Sequence, residues 1–343
     1  VVMAKQHRIP SIHFILPGGG PKGCFQAGFL YRLFTQHRNR FILHQIDGTS
    51  IGAFNGMTVA TRQFSDLKRI WTETIHGLDD IFTPWSNIPL LGTLYTAYCA
   101  FHEKGCMTND KMIHLLKQID SMSVPNDLKL FRCVVTNLKQ GVQQYVKALT
   151  SKIQTKSTER LQEDKIASPC THSPNADVLK VDPMELKQYV LASASPWILV
   201  PPVVLKGESY TDGALLAQYP VKYVDDSSAD IVVMVGQCAR AFERHGEESD
   251  HILNFTARLI DICWHHSLNV QKTRHLIEEK RIISIQHSLD MDFFDFDQKN
   301  INEGFQHGCK AADKFVEEHL DPWLTKNKDM SLVSLRRVRS STF

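Results

Sequence analysis

Two hydrophobic periods alternate at the start of the chain. Residues 11–16 (SIHFIL) form a short, mostly apolar run ended by Pro17 and three glycines, the pattern of a buried strand. Residues 23–36 (GCFQAGFLYRLFTQ) instead space Phe25, Phe29, Leu30, Leu33 and Phe34 along one face of a helix. The sequence then repeats the theme: 41–46 (FILHQI) reads as a strand and 51–61 (IGAFNGMTVAT) as a helix. Strand, glycine turn, helix, strand, small-residue turn, helix is a βαβα start, which implies a parallel sheet with a right-handed crossover.

Further along, 130–136 and 141–149 predict strands around a turn at 137–140, and 230–235 another strand. Asp182-Pro183 predicts a helix start, with Asp as the cap and Pro in the first turn; that helix reaches about Ala194. Residues 251–280 and 302–320 read as helices, and 282–285 as a last strand. Residues 151–176 are polar and read as an insertion, and 325–343 as a flexible basic tail. These patterns divide the chain into a first region over 11–224, a helical and strand extension over 225–324 packed on it, and the tail.

Composition narrows the class. The chain has 343 residues, 43% hydrophobic and 22% charged, enough to bury a substantial core. A net charge of +2 gives no field suited to nucleic acid, so none is expected as a partner. Eight scattered cysteines form no CxxC pair and read as mostly free thiols in a reducing compartment. The most apolar stretch, 88–101, is too short to span a bilayer, so any membrane contact is expected from the side. The first residue is Val, so a targeting segment can have preceded it. The expected location is cytoplasmic, peripheral at membranes.

The candidate chemistry lies in the first two turns. Gly48-Thr49-Ser50-Ile51-Gly52 is G-x-S-x-G between a predicted strand and a predicted helix. A sharp strand-to-helix turn holds a serine strained, with its oxygen exposed above the sheet, and the glycines let the backbones pass. The following helix turns its free N–H groups toward that oxygen. The bland alternative is a tight turn in which Ser50 only caps the helix. Gly18-Gly19-Gly20-Pro21-Lys22-Gly23 opens the first helix, and three glycines there suit an oxyanion, which needs N–H donors unscreened by side chains. Lys22 either fixes this loop, favours anionic head groups, or is a solvated surface residue. The same segment also fits G-x-G-x-x-G, with Asp47 downstream as a ribose-binding acid, so a dinucleotide site is a rival reading. For a base, Asp212 stands before Gly213-Ala214, after the small-residue segment Leu191-Ala-Ser-Ala-Ser-Pro196. Taken alone, Asp-Gly reads as an ordinary turn.

Taken together, the loop Gly18–Gly23, the elbow Gly48–Gly52 and Asp212-Gly213-Ala214 resemble the patatin-like phospholipases, over roughly residues 11–224. Ala214 stands where that family more often has a second glycine. The resemblance implies a three-layer α/β/α domain with a mainly parallel central sheet and C-terminal helical additions. It implies a Ser50–Asp212 dyad without histidine, an oxyanion hole from Gly18, Gly19 and Gly20, and support from Lys22, Gly23, Gly48, Gly52 and Gly213. The implied activity is metal- and cofactor-independent hydrolysis of phospholipid or lysophospholipid acyl esters at a transient membrane surface. Whether a protein activator takes part stays open.

Other readings remain. The histidines after Asp212 (His245, His251, His265, His266, His275, His287 and His307) permit a Ser-Asp-His triad in chain order. A silent scaffold of the same fold is a further alternative. The cluster Asp292, Asp295, Asp297 lacks the glycine and terminal Glu of a calcium loop and reads as an acidic surface loop. Residues 81–101, with Phe82, Trp85, Leu90, Leu91, Leu94, Tyr95 and Tyr98, are a candidate lid, and Trp197–Val204 a candidate pocket wall.

Overall fold

A computed structural model describes residues 9–84, 107–119, 126–149, 178–197, 199–238, 268–289, 291 and 295–326. The polar insertion, nearly all of the basic tail, most of the candidate lid, and His245, His251, His265 and His266 lie outside them.

The chain opens with strand β1 (Ser11–Leu16), a 3-10 turn (Gly20–Lys22) and helix α1 (Gly23–Gln36). Strand β2 (Ile42–Thr49), helix α2 (Ile51–Ala60) and helix α3 (Phe64–Arg69) follow. A two-residue strand β3 (Thr83–Pro84) pairs with β4 (Met107–Thr108), and helix α4 (Asp110–Gln118) comes next. Then come β5 (Phe131–Asn137), β6 (Val142–Ala148), β7 (Val178–Val181) and helix α5 (Pro183–Ser193). Asp182 caps α5 as its sequence predicts, its carboxylate accepting from the Met184 N–H at 2.8 Å. Strands β8 (Val203–Leu205) and β9 (Glu208–Asp212) lead to the short helix α6 (Ala214–Ala217). Strand β10 (Ile231–Cys238), helix α7 (Leu268–Glu278), strand β11 (Ile283–His287) and helix α8 (Gln298–Phe315) complete it.

Among the described residues nine strands form one sheet, in the order β11-β10-β1-β2-β5-β6-β7, with β9 beside β5 and β8 beside β9. The five strands from β11 to β5 run parallel. Alternate residues of β1 serve two layers: Ile12, Phe14 and Leu16 join the large core under α1, α2, α5 and α8, and Ile15 packs with Val270 and Leu276 of α7. This is a three-layer α/β/α fold with a mainly parallel sheet. Helix α8 lies against α1 so closely that Gly28 and Gly308 have no room for a Cβ beside the other helix's backbone. Residues after 225 add β10 beside β1 and β11 beside β10, as well as helices.

One polar cluster is sealed inside. Asp47 on β2 is 0% exposed and accepts two hydrogen bonds of 2.6 Å from Arg132 on β5. His13 on β1 meets the same carboxylate at 3.0 Å and reaches the Ser227 hydroxyl at 3.0 Å with its other nitrogen. The Arg132 guanidinium also lies 4.6 Å from the Tyr223 ring centre. Burial alone pushes the Asp47 carboxyl up, but Arg132 and His13 outweigh it and hold it at about 2. A depressed carboxyl stabilises the fold above its unfolded value, and this contribution is lost as pH falls toward about 2. Replacing Arg132 with Met leaves a buried carboxylate short of its main partner. The expected loss is about 3–5 kcal/mol of unfolding free energy, read by urea denaturation at neutral pH.

Candidate active site

The sheet topology brings Ser50 and Asp212 together. Strand β2 ends with Thr49 beside Val134 of β5, and β9 comes in antiparallel with Asp212 beside Val135. The two strand ends thus meet head to head along one side of β5. Where they meet, the Ser50 hydroxyl donates to the Asp212 carboxylate at 2.6 Å.

Ser50 is the single residue between β2 and α2, with φ 55° and ψ −126°. Positive φ is costly for a residue with a Cβ, about 1–3 kcal/mol, so the elbow persists only because its surroundings hold it. The Ser50 carbonyl accepts the Ala53 and Phe54 N–H groups at 2.9 and 3.2 Å, which starts α2. Its side chain makes no capping bond. The reading of Ser50 as a mere helix cap is therefore corrected: its oxygen points to Asp212 instead.

The glycines serve close approach. A Cβ on Gly48 would stand 2.5 Å from the Gly52 carbonyl oxygen, and one on Gly52 would collide with the Leu16 carbonyl. On Gly213 it would collide with the Val134 carbonyl, and on Gly23 it would meet Ile51 at 2.5 Å. A Cβ on Gly18 would sit 3.2 Å from the Ser50 Cβ, so the glycine loop lies directly against the elbow. Gly52→Ala is expected to lower Tm by several degrees, since overpacking costs about 1–3 kcal/mol, and to lower any activity at Ser50. A thermal melt alongside an ester assay checks it.

Asp212 is only 5% exposed. Burial raises its carboxyl to about 7, against the opposing pull of the Ser50 hydroxyl and of the Ala214 N–H, which donates at 2.7 Å. Its backbone is fixed too: its N–H donates to the Ser195 carbonyl at 3.0 Å, and its carbonyl accepts the Thr136 hydroxyl at 3.0 Å.

The glycine loop is braced from both sides. Gly18 donates its N–H to the Gln218 carbonyl at 3.1 Å, so that donor already has a backbone acceptor. Gly19 and Gly20 cap and open the 3-10 turn, where the first N–H groups have no acceptor within the helix. Gln26 donates to the Pro17 carbonyl at 2.8 Å. Asn55 donates to the Gly23 carbonyl at 3.0 Å and accepts from the Trp71 indole at 2.9 Å. Thr49 ties the elbow to the Ala217 carbonyl at 2.9 Å. Lys22 is half-buried at the end of the turn.

A cavity opens above Ser50, lined by Gly20, Ile51, Ile81, Phe82, Met112, Ala194, Pro196 and Phe296. The cavity is small, about 30 Å³, and its lining is mostly apolar. Of the candidate lid, Ile81 and Phe82 face this cavity; Trp85, Leu90, Leu91, Leu94, Tyr95 and Tyr98 lie outside the described residues. Of the candidate wall, Leu199 and Val200 are buried in the core, and Trp197 and Val204 face solvent. Pro196 and Ala194, just before that segment, form the wall instead.

The rival chemistries fare as follows. Asp47 is sealed under Arg132 and His13, so it offers no carboxylate to a ribose, and the dinucleotide reading is corrected on that ground. Among the described residues no histidine bonds Ser50 or Asp212. His275 pairs with Glu279 at 3.2 Å, and His287 is buried at the end of β11. Asp295 and Asp297 serve the start of α8: Asp297 caps it through Lys299, and Asp295 accepts from Asn300 at 2.8 Å. Among the described residues no group of three or more His, Cys, Asp or Glu is arranged to hold a metal ion. Cys24, Cys133 and Cys309 are free thiols. No described helix is long and apolar enough to cross a membrane.

Ser193 went unremarked in the sequence. Its hydroxyl accepts the Ser50 N–H at 2.9 Å and donates to the Val134 carbonyl at 2.6 Å. The only signal for it was a serine in a run of small residues at a helix end. Gln26 and Asn55, amides within apolar helices, were the clearer signals missed.

The pattern of the patatin-like phospholipases matches residues 14–225, more than half of the chain. The chain belongs to the patatin-like phospholipase family. This patatin-like protein is also similar to a solved structure, VipD from Legionella pneumophila, at 14% identity and a TM-score of 0.38, over 89% of this chain and 67% of that one. A likeness that distant carries no argument about function. No curated protein sequence matches it. Membership of the family assigns it to the lipid acyl hydrolases.

Proposed function

We propose that this patatin-like protein is a serine hydrolase of the phospholipase A or lysophospholipase type, acting through Ser50 and Asp212. The observation that carries this reading is the 2.6 Å hydrogen bond from a strained, elbow-borne serine to a buried carboxylate. An ordinary carboxylate is a weak base toward a hydroxyl. Raised to about 7, Asp212 is matched to proton transfer near neutral pH.

In the proposed reaction the Ser50 oxygen attacks the acyl carbonyl as its proton passes to Asp212. The oxyanion receives N–H donors at Gly19 and Gly20, Gly18 being engaged with Gln218. Collapse breaks the ester bond, and the leaving alcohol takes the proton from Asp212. Water then gives a proton to Asp212 and attacks the acyl-Ser50 carbonyl; release of the fatty acid returns the proton to Ser50. The positive end of α2, which begins at Ile51, favours negative charge on the serine oxygen. Ile81, Phe82, Met112 and Phe296 line the space above Ser50 and give the acyl group an apolar surface to approach along.

The substrate would be drawn from a membrane surface that the protein meets transiently. The test is fatty-acid release from mixed-phospholipid vesicles with chelator present. Release by the wild-type chain, with lysophospholipid or glycerophospho head group as co-product, supports the reading. Absence of release, or release that chelator stops, contradicts it.

A further inference from the structure

We propose that Ser193 is a positioning residue for Ser50, holding the strained elbow in register with Asp212; the proposal rests on the dyad reading above.

The geometry is specific. A nucleophile on a positive-φ turn relaxes unless its own peptide is held. Within α2, Ser50 has only its carbonyl engaged. Its N–H donates to the Ser193 hydroxyl at 2.9 Å. The same hydroxyl donates its proton to the Val134 carbonyl at 2.6 Å. Ser193 is 0% exposed, so water cannot replace either bond. Val134 also stands beside Thr49 in the sheet, and its carbonyl is the atom against which Gly213 packs. One hydroxyl therefore links the elbow, the central strand and the turn that follows Asp212.

Two residues further on, the same helix end reaches the other partner. The Ser195 carbonyl accepts the Asp212 N–H at 3.0 Å and the Thr211 hydroxyl at 2.9 Å. The end of α5 thus grips Ser50 through a side chain and Asp212 through backbone. The 2.6 Å separation of the dyad oxygens is set across this short piece of chain. Alanine at 193 removes the side-chain grip and leaves the backbone grip in place. Ser50 then swings relative to a fixed carboxylate.

The expected effect is a fall in kcat of about 10- to 100-fold on a soluble aryl ester, with KM nearly unchanged, because misplacement of a reacting group by about 1 Å costs roughly that much. Ser193→Thr, which keeps the hydroxyl, is expected to restore most of the rate. Ser193→Cys keeps the volume with a poor hydrogen-bonding group, and is expected to stay slow. Thr273→Ala, another fully buried hydroxyl on α7, controls for general loss of stability.

Hydrogen exchange at the Ser50 amide reads the bond itself without any need for turnover. It should quicken in Ser193→Ala and Ser193→Cys but not in Thr273→Ala. A Ser193→Cys enzyme as fast as wild type, or a Ser50 amide equally protected in wild type and Ser193→Ala, overturns the proposal. A wild-type chain with no esterase activity sinks the hydrolase reading instead, and the exchange comparison still decides the role of Ser193.

Discussion

Ser50→Ala is expected to lower ester hydrolysis by roughly 10⁴- to 10⁶-fold, the scale seen when a serine nucleophile is removed from a hydrolase. The loss should fall on kcat, since the substitution removes the attacking oxygen and leaves the apolar side chains around it unchanged. Ser50→Gly is expected to be equally inactive but more stable. Alanine keeps a Cβ at φ 55°, whereas glycine adopts that angle freely. Relief of the strain is worth about 1 kcal/mol or more, visible as a higher Tm for the glycine variant than for the alanine one. Equal melting of the two would mean the elbow stores no strain. Retained activity in either would mean the reaction runs elsewhere.

Asp212→Asn is expected to cost about 10³- to 10⁴-fold in kcat, because the amide cannot take the serine proton. The wild-type kcat/KM should fall about tenfold per pH unit as pH drops below about 7, where Asp212 takes up a proton. The stability effect has the opposite direction. A carboxyl raised from an ordinary 3.8 to about 7 is bound by its proton more tightly in the folded state. Its stabilising share is complete below the unfolded value and is lost as pH rises through about 7. Asn carries no charge to bury, so the variant should melt higher than wild type, with a gap that widens from about pH 4 to about pH 7, levels off above that, and reaches on the order of a few kcal/mol. Melting curves across that range check the sign. A gap that narrows with rising pH would mean that Asp212 is ionised and well compensated at rest.

The glycine loop and the elbow were legible in the sequence because both demands are local. A strand that turns into a helix at one residue needs Gly48 and Gly52 within five positions, whatever the rest of the chain does. The cap at Asp182 was legible for the same reason. Asp212 was a weaker signal, since Asp-Gly is common in turns; only its order after the other two motifs raised it. Its meeting with Ser50 depends on β9 running antiparallel into the lane that β2 vacates beside β5, a tertiary event that no local pattern encodes.

Other features were hidden for related reasons. Strand β2 runs on through Asp47, Gly48 and Thr49, past the apolar run that marked it, because the Arg132 and His13 contacts let a charged residue stay in the sheet. The same contacts turned a candidate ribose ligand into part of the core. Ser193 reads as one small residue among several, and its hydroxyl gains meaning only against Val134 and Ser50. Gly18 fitted an oxyanion donor by composition, but the Gln218 carbonyl takes its N–H.

The most direct test of the Ser50–Asp212 account is to treat the wild-type chain and Asp212→Asn with a long-chain fluorophosphonate and locate the adduct by peptide mass spectrometry. The account predicts one phosphonylated residue, Ser50, in the wild type, and labelling slowed by roughly 10³-fold in Asp212→Asn, in line with loss of the base. An adduct on another serine, or labelling of Ser50 at the same rate in both proteins, would contradict it.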